Sequence, residues 1–579
     1  ARPPGAFGRE RDTSAHADEY RRGPLRLADP CLLSGTRTAR PRASALTVTG
    51  MQSDDLDAMI ERARSHGLGD IPRRSARRHP HKVAIIDGDV VLTFAEFDHL
   101  VDRTAAALHD SGFGPGSRLG LLSRNCWQYA VLAFATARAG VVLVPINFML
   151  TAEEIAYILG HSQVGGLVVE ADLTPTAEEA IRLGGRVRAK VALVPRGHQG
   201  VPGWADFSRW LATETAAPSP HIDDDQPVRL MYTSGTESRP KAAIHTSRSL
   251  MWQYVSTIVA GEMSHDDVEI HSLPLYHCAQ LDNFLATDVY LGATSIILPR
   301  PEPDAVLRTI ERYRVTNYFA PPTVWISLLR SPVFDEVDLS SLRKGYYGAS
   351  AMPAEILREI RERLPNLRLW NFYGQTEMAP LACALGPDEQ DAHAGSAGRP
   401  VLNVDTAILG DDDNPVAAGV VGEIAHRSPH LTPGYLNDPE RTAAAFKGGW
   451  FHSGDLGYFD EHGLLHVVDR KKDMIKTGGE NVASREVEEI LYRHHGVQEV
   501  AVFGLPHPVW VEAVVAAIVP RDGAVLTEED LFSHCRTHLA GFKTPKRVFF
   551  VDALPKNPSG KVLKRSLRER FGVDQHALS

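Results

Sequence analysis

Hydrophobic and polar positions along the chain predict strands alternating with helices from about residue 80. RLGLLSRN, VVLVPI and LVVE are short apolar runs typical of buried strands, and WQYAVLAFATARAG and TAEEIAYIL between them are typical of helices. Thr151 followed by Glu154 predicts a capping box at the start of the second helix. Apolar strands separated by helices indicate a parallel α/β sheet covered on both faces.

A second stretch of the same kind runs from ATSIILP through TNYFAPPTVWISLL to Tyr373. After about residue 400, short strands and Gly-rich turns indicate a smaller β-rich subdomain. The last hundred residues combine helices (SREVEEILYRH, EEDLFSHCRTHL) with strands (EVAVFGL, EAVVAAIVP). The predicted fold class is therefore α/β, with a large N-terminal domain of two α/β subdomains plus a small β-rich subdomain, followed by a small α+β C-terminal domain. The charged run 470–473 marks the expected boundary, between domains at 51–469 and 470–579.

Composition narrows the function classes. The 579 residues carry a formal net charge of −10, which argues against a nucleic-acid-binding surface. No apolar run reaches 18 residues, so no transmembrane segment is predicted. None of the five cysteines has metal-ligand spacing, which indicates reduced thiols in a cytoplasmic protein; they are Cys31, Cys126, Cys278, Cys383 and Cys535.

Residues 1–50 differ from the rest of the chain. They are rich in Arg, Pro and Ala and contain no apolar segment like that of a secretory signal. We expect a disordered extension and hypothesise that Met51 is the true start.

Four motifs carry candidate chemistry. The strand VRLMY leads into TSGTESRPK (233–241), whose hydroxyls, glycine and cations suit a phosphate cradle although the Walker A spacing is absent. WNFYGQTE (370–377) places an aromatic pair, a glycine, a hydroxyl and a carboxylate at a strand end, where Tyr373 could stack on a purine and Glu377 could hold Mg²⁺.

The other two motifs lie nearer the C terminus. GWFHSGDLG (449–457) presents Asp455 in a glycine-flanked turn suited to ribose hydroxyls, with Arg470 in the following charged run. PKNPSGKVLK (555–564) presents Lys561 beside a glycine, where it could deliver a point charge to a phosphate. Each motif alone has an ordinary alternative: a polar turn, a core aromatic pair, a solvated charge run or a surface lysine.

In this order and at these separations the motifs are highly specific. From Met51 to the C terminus the chain resembles the adenylate-forming superfamily of acyl-CoA synthetases, nonribosomal adenylation domains and beetle luciferases. The resemblance implies an acid–thiol ligase that uses ATP, Mg²⁺ and coenzyme A, forms an acyl-adenylate and then a thioester, and rotates its small mobile domain about a hinge near 470–473 between the two steps. The implied partners are a carboxylic acid, ATP and CoA, with an acyl carrier protein and a homodimer as further possibilities.

The resemblance also implies a role for each matching residue. The β- and γ-phosphates would be held by Thr233, Ser234, Gly235, Thr236 and Lys241. The adenine would be flanked by Gly348, Ala349 and Ser350, with Asn371 and Tyr373 opposite and Gly374 next in the motif. Thr376 would touch the α-phosphate, and Glu377 with Thr236 would bind Mg²⁺.

The resemblance assigns the remaining roles to residues nearer the C terminus. Asp455 and Arg470 would hold the ribose, and Lys472 would be the hinge residue. Lys561 would bridge the acyl carboxylate and the α-phosphate, and Gly478 and Gly479 would line the CoA tunnel.

The segment LPLYHCAQ (273–280) resembles the loop at the mouth of the acyl pocket. His277 stands where amino-acid-activating relatives place an Asp, which argues against an amino acid substrate and makes His277 a candidate pocket residue. The apolar surroundings suit a fatty or aryl acid; they are Phe284, Leu285, Val324, Trp325 and Met378.

The sequence departs from the usual pattern at three places. Glu237-Ser238 replaces Thr-Gly and Ala242 replaces Gly, so a carboxylate stands near a triphosphate, at a Coulomb cost of a few kcal/mol if partly desolvated. We expect a functional loop with Glu237 turned outward. Gln280, where many relatives carry Gly, could reshape the acyl pocket. Two rivals stay open: an enzyme that loads a carrier-protein phosphopantetheine, and a non-catalytic nucleotide- or acyl-binding homologue.

Overall fold

The computed structural model describes residues 56, 59–60, 63–64, 66–184, 186–194, 199–217, 220–233, 240–348, 352–478, 480–556 and 562–572. The chain divides after Ile60 into two units, and the strands and helices named below all belong to the second unit, Glu61–Ser579. Several predictions fall outside the described residues: the extension 1–50, the hydroxyl loop 234–239 with Glu237, Ala349, Ser350, Gly479 and Lys561.

The strands form four sheets. In chain order they are β1 (Val83–Asp87), β2 (Val90–Thr93), β3 (Arg118–Leu122), β4 (Val142–Ile146), β5 (Gly166–Glu170), β6 (Ala189–Leu193), β7 (Ala205–Asp206), β8 (Pro227–Thr233), β9 (Lys241–Thr246), β10 (Val268–His271), β11 (Thr294–Ile297), β12 (Asn317–Phe319), β13 (Lys344–Gly348), β14 (Arg368–Gly374), β15 (Leu381–Leu385), β16 (Arg399–Pro400), β17 (Asp405–Leu409), β18 (Gly422–Arg427), β19 (Phe451–Phe459), β20 (Leu465–Arg470), β21 (Ile475–Thr477), β22 (Glu480–Val482), β23 (Val497–His507), β24 (Val511–Pro520) and β25 (Arg547–Phe550).

Helices connect and cover these strands. They are α1 (Ile71–Arg78), α2 (Phe94–Asp110), α3 (Trp127–Arg138), α4 (Ala152–His161), α5 (Thr174–Leu183), α6 (Ser208–Leu211), α7 (Ser247–Ala260), α8 (Cys278–Gln280), α9 (Ala286–Leu291), α10 (Pro303–Tyr313), α11 (Pro322–Arg330), α12 (Ala354–Arg363), α13 (Pro439–Ala445), α14 (Ser484–Tyr492), α15 (Glu528–His538) and α16 (Lys564–Phe571). The predicted capping box of α4 is confirmed, since Thr151 N donates to Glu154 Oε2 at 2.8 Å and Glu154 N donates to Thr151 Oγ1 at 3.4 Å.

Two of the sheets are the predicted α/β sheets. The seven-stranded sheet has the order β7-β6-β5-β3-β4-β8-β9, parallel except for the hairpin β8–β9. The nine-stranded sheet has the order β16-β15-β14-β13-β12-β10-β11-β1-β2, with parallel strands from β14 to β1. The hairpin β1–β2 precedes the strands of the seven-stranded sheet in the sequence, but it pairs at the edge of the nine-stranded sheet.

The remaining sheets confirm the predicted β-rich and α+β parts. A four-stranded antiparallel sheet, β17-β18-β19-β20, follows the second α/β sheet. A five-stranded sheet, β22-β21-β24-β23 with β25 beside β24, is packed with α14 and α15. Among the described residues, no helix combines the length and apolarity needed to cross a bilayer.

A buried ion pair joins the two α/β parts. Arg229 of β8 is hydrogen-bonded to Asp282, which follows α8, and both side chains are fully buried. A buried charge is tolerated when it is paired, whereas an unmatched one is strongly destabilising. The pair therefore ties the strand that ends at Thr233 to the segment that follows His277.

We expect Asp282→Asn to lower the free energy of unfolding by about 3–5 kcal/mol, because it leaves the Arg229 guanidinium buried without a countercharge. The measurement is urea denaturation followed by fluorescence. Asp225→Asn is the matched control, since Asp225 pairs with Arg248 on the surface, where such pairs contribute about 0–1 kcal/mol. Equal losses in the two variants would contradict the role given to burial.

Candidate active site

The candidate active site is centred on the short 3₁₀ turn Thr376–Met378, directly after β14. Strand ends of parallel sheets are where ligands sit in α/β folds. Two other segments contact this turn: His245 of β9 donates through Nε2 to the Thr376 carbonyl at 2.8 Å, and Cys278 Sγ lies 3.6 Å from Thr376 Oγ1. Contacts with the β8–β9 hairpin and with the start of α8 therefore hold the turn.

His245 is neutral in this arrangement. Burial lowers its pKa to about 4, and a carbonyl can only accept, so the ring proton sits on Nε2. No motif in the sequence indicated His245. The sequence signal for His245 was its place inside the apolar strand β9, which predicts a buried side chain.

Glu377 is the most constrained carboxylate of the site. It is only 5% exposed, and its Oε1 lies 2.7 Å from Lys241 Nζ and 2.9 Å from Tyr435 Oη. Lys241 Nζ also lies 2.7 Å from Tyr435 Oη. Burial alone would raise the pKa of Glu377, but the charge and hydrogen bond of Lys241 outweigh it, so the pKa is lowered and the group is ionised.

Tyr435 was missed by the sequence analysis, since its partner Glu377 lies 58 positions earlier in the chain. Its segment is fastened to the site by backbone contacts: Thr432 N donates to the Glu377 carbonyl at 2.8 Å, and Tyr435 forms a β-bridge with Ala243. The phenol therefore has a fixed position over the carboxylate.

The structure brings together Asp455 and Arg470, which are predicted to hold the ribose, and Tyr373, which is predicted to lie opposite the adenine. Tyr373 Oη donates to Asp455 Oδ2 at 2.8 Å, and Arg470 Nε lies 3.4 Å from Asp455 Oδ1. Asp455 and Arg470 are cross-strand partners in β19 and β20. Asn371 turns into the protein instead, since its Nδ2 donates to the Ser396 carbonyl at 2.7 Å.

Two glycines of the predicted nucleotide site are required by close backbone approach. A Cβ on Gly374 would lie 2.0 Å from the Pro380 carbonyl oxygen, and one on Gly348 would lie 2.5 Å from that of Phe372. Gly374 is exposed, so the strand end stays open toward a ligand.

His277 stands at the N-cap of α8, half-buried, with its ring 5.2 Å from that of Tyr276. Burial lowers its pKa, so the ring is neutral at neutral pH. Gln280 points inward: its Nε2 lies 2.7 Å from His271 Nδ1, and its Oε1 accepts from Leu273 N at 3.2 Å. The Gln280 side chain, which we expected could reshape the acyl pocket, thus stabilises the loop 273–280 through two hydrogen bonds inside the protein.

The apolar residues expected around His277 divide among separate cores. Phe284 and Met378 share one core, which Val324 borders. Trp325 packs with Tyr318 in another, and Leu285 belongs to a third. The first core contains Met378 of the Thr376–Met378 turn, and the third contains Ala379, the residue directly after it.

The C-terminal candidates have their contacts elsewhere. Lys472 is exposed in the turn after β20, and the neighbouring Asp473 accepts from Arg568 at 3.0 Å. Gly478 has a φ of +61° and its N–H donates to the Trp510 carbonyl at 2.9 Å. In the described part of the chain, neither residue has a recorded hydrogen bond to the Thr376–Met378 turn.

The donor set fits a nucleotide with a magnesium ion. Thr233 Oγ1, at the end of β8, and Gln375 Nε2, directly before the turn, are buried without a partner among the described residues. The described residues contain no group of three or more His, Cys, Asp or Glu side chains that could hold a metal ion. Mg²⁺ is commonly bound by one or two carboxylates together with substrate phosphates, and Glu377 would supply one such carboxylate.

We expect Lys241→Met to lower the free energy of unfolding by about 1.5–3 kcal/mol at pH 7, the range for a hydrogen bond to a charged group. The lowered pKa of Glu377 contributes stability above the ordinary carboxyl pKa of about 4.3, and this contribution is lost as the pH falls through the folded-state pKa. The deficit of the variant should therefore shrink below about pH 4. Urea denaturation of both proteins at pH 7 and at about pH 3 measures this deficit in the free energy of unfolding.

The control for this experiment is Lys447→Met, which removes a lysine paired with Asp413 at the surface. Its effect should stay within about 0–1 kcal/mol. A deficit in Lys241→Met that is the same at pH 7 and at about pH 3 would contradict the assignment of an ionised Glu377.

Comparison with known proteins identifies the family. The family model described as AMP-binding enzyme matches residues 72–436, and the AMP-binding enzyme C-terminal domain matches residues 486–561. A feruloyl-CoA synthase from Amycolatopsis sp is 37% identical over 88% of this chain and 100% of its own length. A long-chain-fatty-acid–CoA ligase from Salmonella typhimurium is 32% identical over 90% of this chain and 98% of its own length.

A solved structure shares the fold. The anthranilate CoA ligase AuaEII, in complex with anthranoyl-AMP, superposes with a TM-score of 0.81 at 26% identity, over 88% of this chain and 98% of the ligase. The match therefore extends over both parts of the chain. The protein belongs to the AMP-binding enzymes, the adenylate-forming superfamily that contains the acyl- and aryl-CoA ligases.

Proposed function

We propose that this protein is an AMP-forming ligase that joins a hydrophobic carboxylic acid, fatty or aryl, to coenzyme A through an acyl-adenylate. One observation carries the proposal: a single turn, Thr376–Met378, combines a fixed ionised carboxylate with contacts to both the phosphate-loop hairpin and the start of α8. ATP, Mg²⁺ and CoA are the co-substrates and cofactor of the family. Its CoA-ligase relatives include both feruloyl and long-chain fatty acid enzymes, which leaves the acid itself to experiment.

The first step joins the acid to AMP. The acyl carboxylate oxygen attacks the α-phosphorus of ATP, the bond to the β-phosphate oxygen breaks, and pyrophosphate leaves with the electron pair. Thr376 and Lys561 are proposed to stabilise the charge that develops at the α-phosphate, because a carboxylate approaches a polyanion there. Bound Mg²⁺ would supply further charge neutralisation from Glu377.

Three groups of residues position the nucleotide in this proposal. Lys241 and Thr233 hold the outer phosphates, Asp455 and Arg470 hold the ribose hydroxyls, and Tyr373 keeps Asp455 in place. Positioning reactants in this way converts a reaction between separate molecules into an effectively intramolecular one.

The second step transfers the acyl group to sulfur. The CoA thiolate attacks the carbonyl carbon of the mixed anhydride, AMP leaves, and a thioester remains. We propose that the small C-terminal domain, 470–579, rotates about the hinge residue Lys472 between the two steps, and that Gly478 and Gly479 then line the CoA tunnel. Such gating keeps water away from the reactive adenylate.

Two alternatives differ in their products. A carrier-protein-loading enzyme would make the adenylate but transfer it to a phosphopantetheine, and a non-catalytic homologue would make neither product. Glu377, paired and ionised, favours a catalytic protein over the second alternative. A carrier-protein partner and a homodimer are further proposals.

We expect purified protein with ATP, Mg²⁺, CoA and a panel of fatty and aryl acids to form an acyl-CoA and AMP. Lys561→Ala should lose adenylation by about 100-fold or more, because it removes a charge that acts in the transition state. Mass spectrometry of adenylates and thioesters is the measurement. Lys556→Ala is the matched control, since Lys556 already pairs with Glu499 at 2.7 Å.

Adenylate without thioester would favour a carrier-protein acceptor. Neither product from any acid would contradict the proposed function. Equal activity of the Lys561→Ala variant and the wild-type enzyme would contradict the role of Lys561.

A further inference from the structure

Hydrogen bonds cross the proposed hinge at 470–473. Val467 and Asp469 lie before it, two residues apart on β20, and Ser484 and Arg485 lie after it, as the first two residues of α14. Ser484 N and Ser484 Oγ both donate to Asp469 Oδ2, at 2.6 and 2.7 Å. Arg485 Nη1 donates to the Val467 carbonyl at 2.8 Å. The start of α14 is therefore hydrogen-bonded to the strand that precedes the hinge.

Asp469 supplies the cap that α14 lacks in its own segment. The N-cap residue is Ala483, whose side chain has no hydrogen-bond acceptor. The first N–H groups of a helix have no partner inside the helix, and a carboxylate beside them is also favoured by the helix dipole. Ser484 is fully buried and Asp469 is 8% exposed, so little water competes for this contact. One side chain before the hinge thus stabilises the start of a helix after it.

The orientation that these contacts hold keeps Gly478 apart from the candidate active site. Gly478 is exposed, and its N–H donates to the Trp510 carbonyl at 2.9 Å. Among the described residues, no backbone hydrogen bond joins Gly478 to the Thr376–Met378 turn. In the proposed function, Gly478 lines the CoA tunnel in the second step. We therefore assign the observed contacts to the first step.

We propose that Asp469 is a positioning residue that holds the small C-terminal domain in the orientation of the adenylation step, and that its contact with Ser484 breaks before thioester formation. This inference rests on the proposed function. Rotation about Lys472 moves α14 relative to β20, because the two elements lie on opposite sides of the hinge. A contact that exists in only one of two orientations shifts the population toward that orientation.

Ser484→Pro removes this contact with little change to the helix. Ser484 is the first helical residue, a position where proline is favoured because its missing N–H has no partner within the helix. Ala483 before it has φ −70° and ψ 118°, the extended conformation that a following proline favours. The variant thus takes away both donors to Asp469. Lys564, which also contacts Ser484 Oγ, keeps its ion pair with Glu488 at 2.8 Å.

The test measures the two steps separately in wild type and Ser484→Pro, with the most active acid of the panel above. Adenylation is measured as acid-dependent exchange of labelled pyrophosphate into ATP. Thioester formation is measured as single-turnover transfer from the preformed acyl-adenylate to CoA. We expect the ratio of the thioester rate to the adenylation rate to rise at least about fivefold in Ser484→Pro, because hydrogen bonds to a carboxylate no longer favour the first orientation.

Trypsin cleavage at the hinge provides a readout that needs no substrate. The hinge contains Arg470, Lys471 and Lys472, and both lysines are exposed. Cleavage of a folded protein requires local opening, so its rate follows the population of the open form. We expect cleavage within 470–472 to be at least about fivefold faster in Ser484→Pro than in wild type, measured by mass spectrometry over time.

Thr527→Ala is the matched control, because it removes an N-cap that lies wholly within the small domain. Thr527 Oγ1 accepts from Asp530 N at 3.2 Å at the start of α15. This variant should leave the rate ratio and the hinge cleavage at their wild-type values. Ser484→Ala removes only the hydroxyl donor and should fall between wild type and Ser484→Pro, so the test survives if Ser484→Pro does not fold.

The outcomes separate this inference from the proposed function. A rate ratio that is unchanged or lower in the Ser484 variants, or hinge cleavage at the wild-type rate, would overturn the role of Asp469 and leave the ligase intact. Absence of adenylate and thioester from every acid would overturn the proposed function and the assignment of the contact to its first step.

Discussion

The contact between Lys241, Glu377 and Tyr435 is the interaction on which the rest of the site depends. A carboxylate that is 5% exposed stays ionised only if a charge and hydrogen bonds replace the water it has lost. Lys241, from the β8–β9 hairpin, and Tyr435, from the segment after β18, provide them. One ionised group thereby fixes three distant stretches of chain around the end of β14.

The same principle extends behind the site. The Arg229–Asp282 pair links β8 to the π-helix Leu281–Leu285, and the neutral His245 ring links β9 to the Thr376 carbonyl. These buried polar contacts have few alternative partners, so they allow one relative placement of the two α/β sheets. The β8–β9 hairpin and the segment after His277 are consequently held in fixed relative positions by groups that need not touch a substrate.

Sequence reasoning reached the α/β class and the motif positions because both depend on local order: apolar runs of strand length, capping pairs and glycines beside polar residues. It could not find Tyr435 or His245, since their partners are far away in the chain and neither belongs to a motif. It also expected Gln280 and Trp325 at the acyl pocket, but no motif gives the direction of either side chain. That direction follows from tertiary packing, which turns Gln280 toward His271 and Trp325 toward Tyr318.

The most direct test of the central claim is acid-dependent exchange of labelled pyrophosphate into ATP by wild type and Glu377→Gln. The amide keeps the size of the side chain and removes the charge. We expect Mg²⁺-dependent exchange in wild type and a loss of about 100-fold or more in Glu377→Gln, because several kcal/mol of charge stabilisation disappear. Exchange in a folded Glu377→Gln variant at the wild-type rate would contradict the claim that this ionised carboxylate organises the reaction.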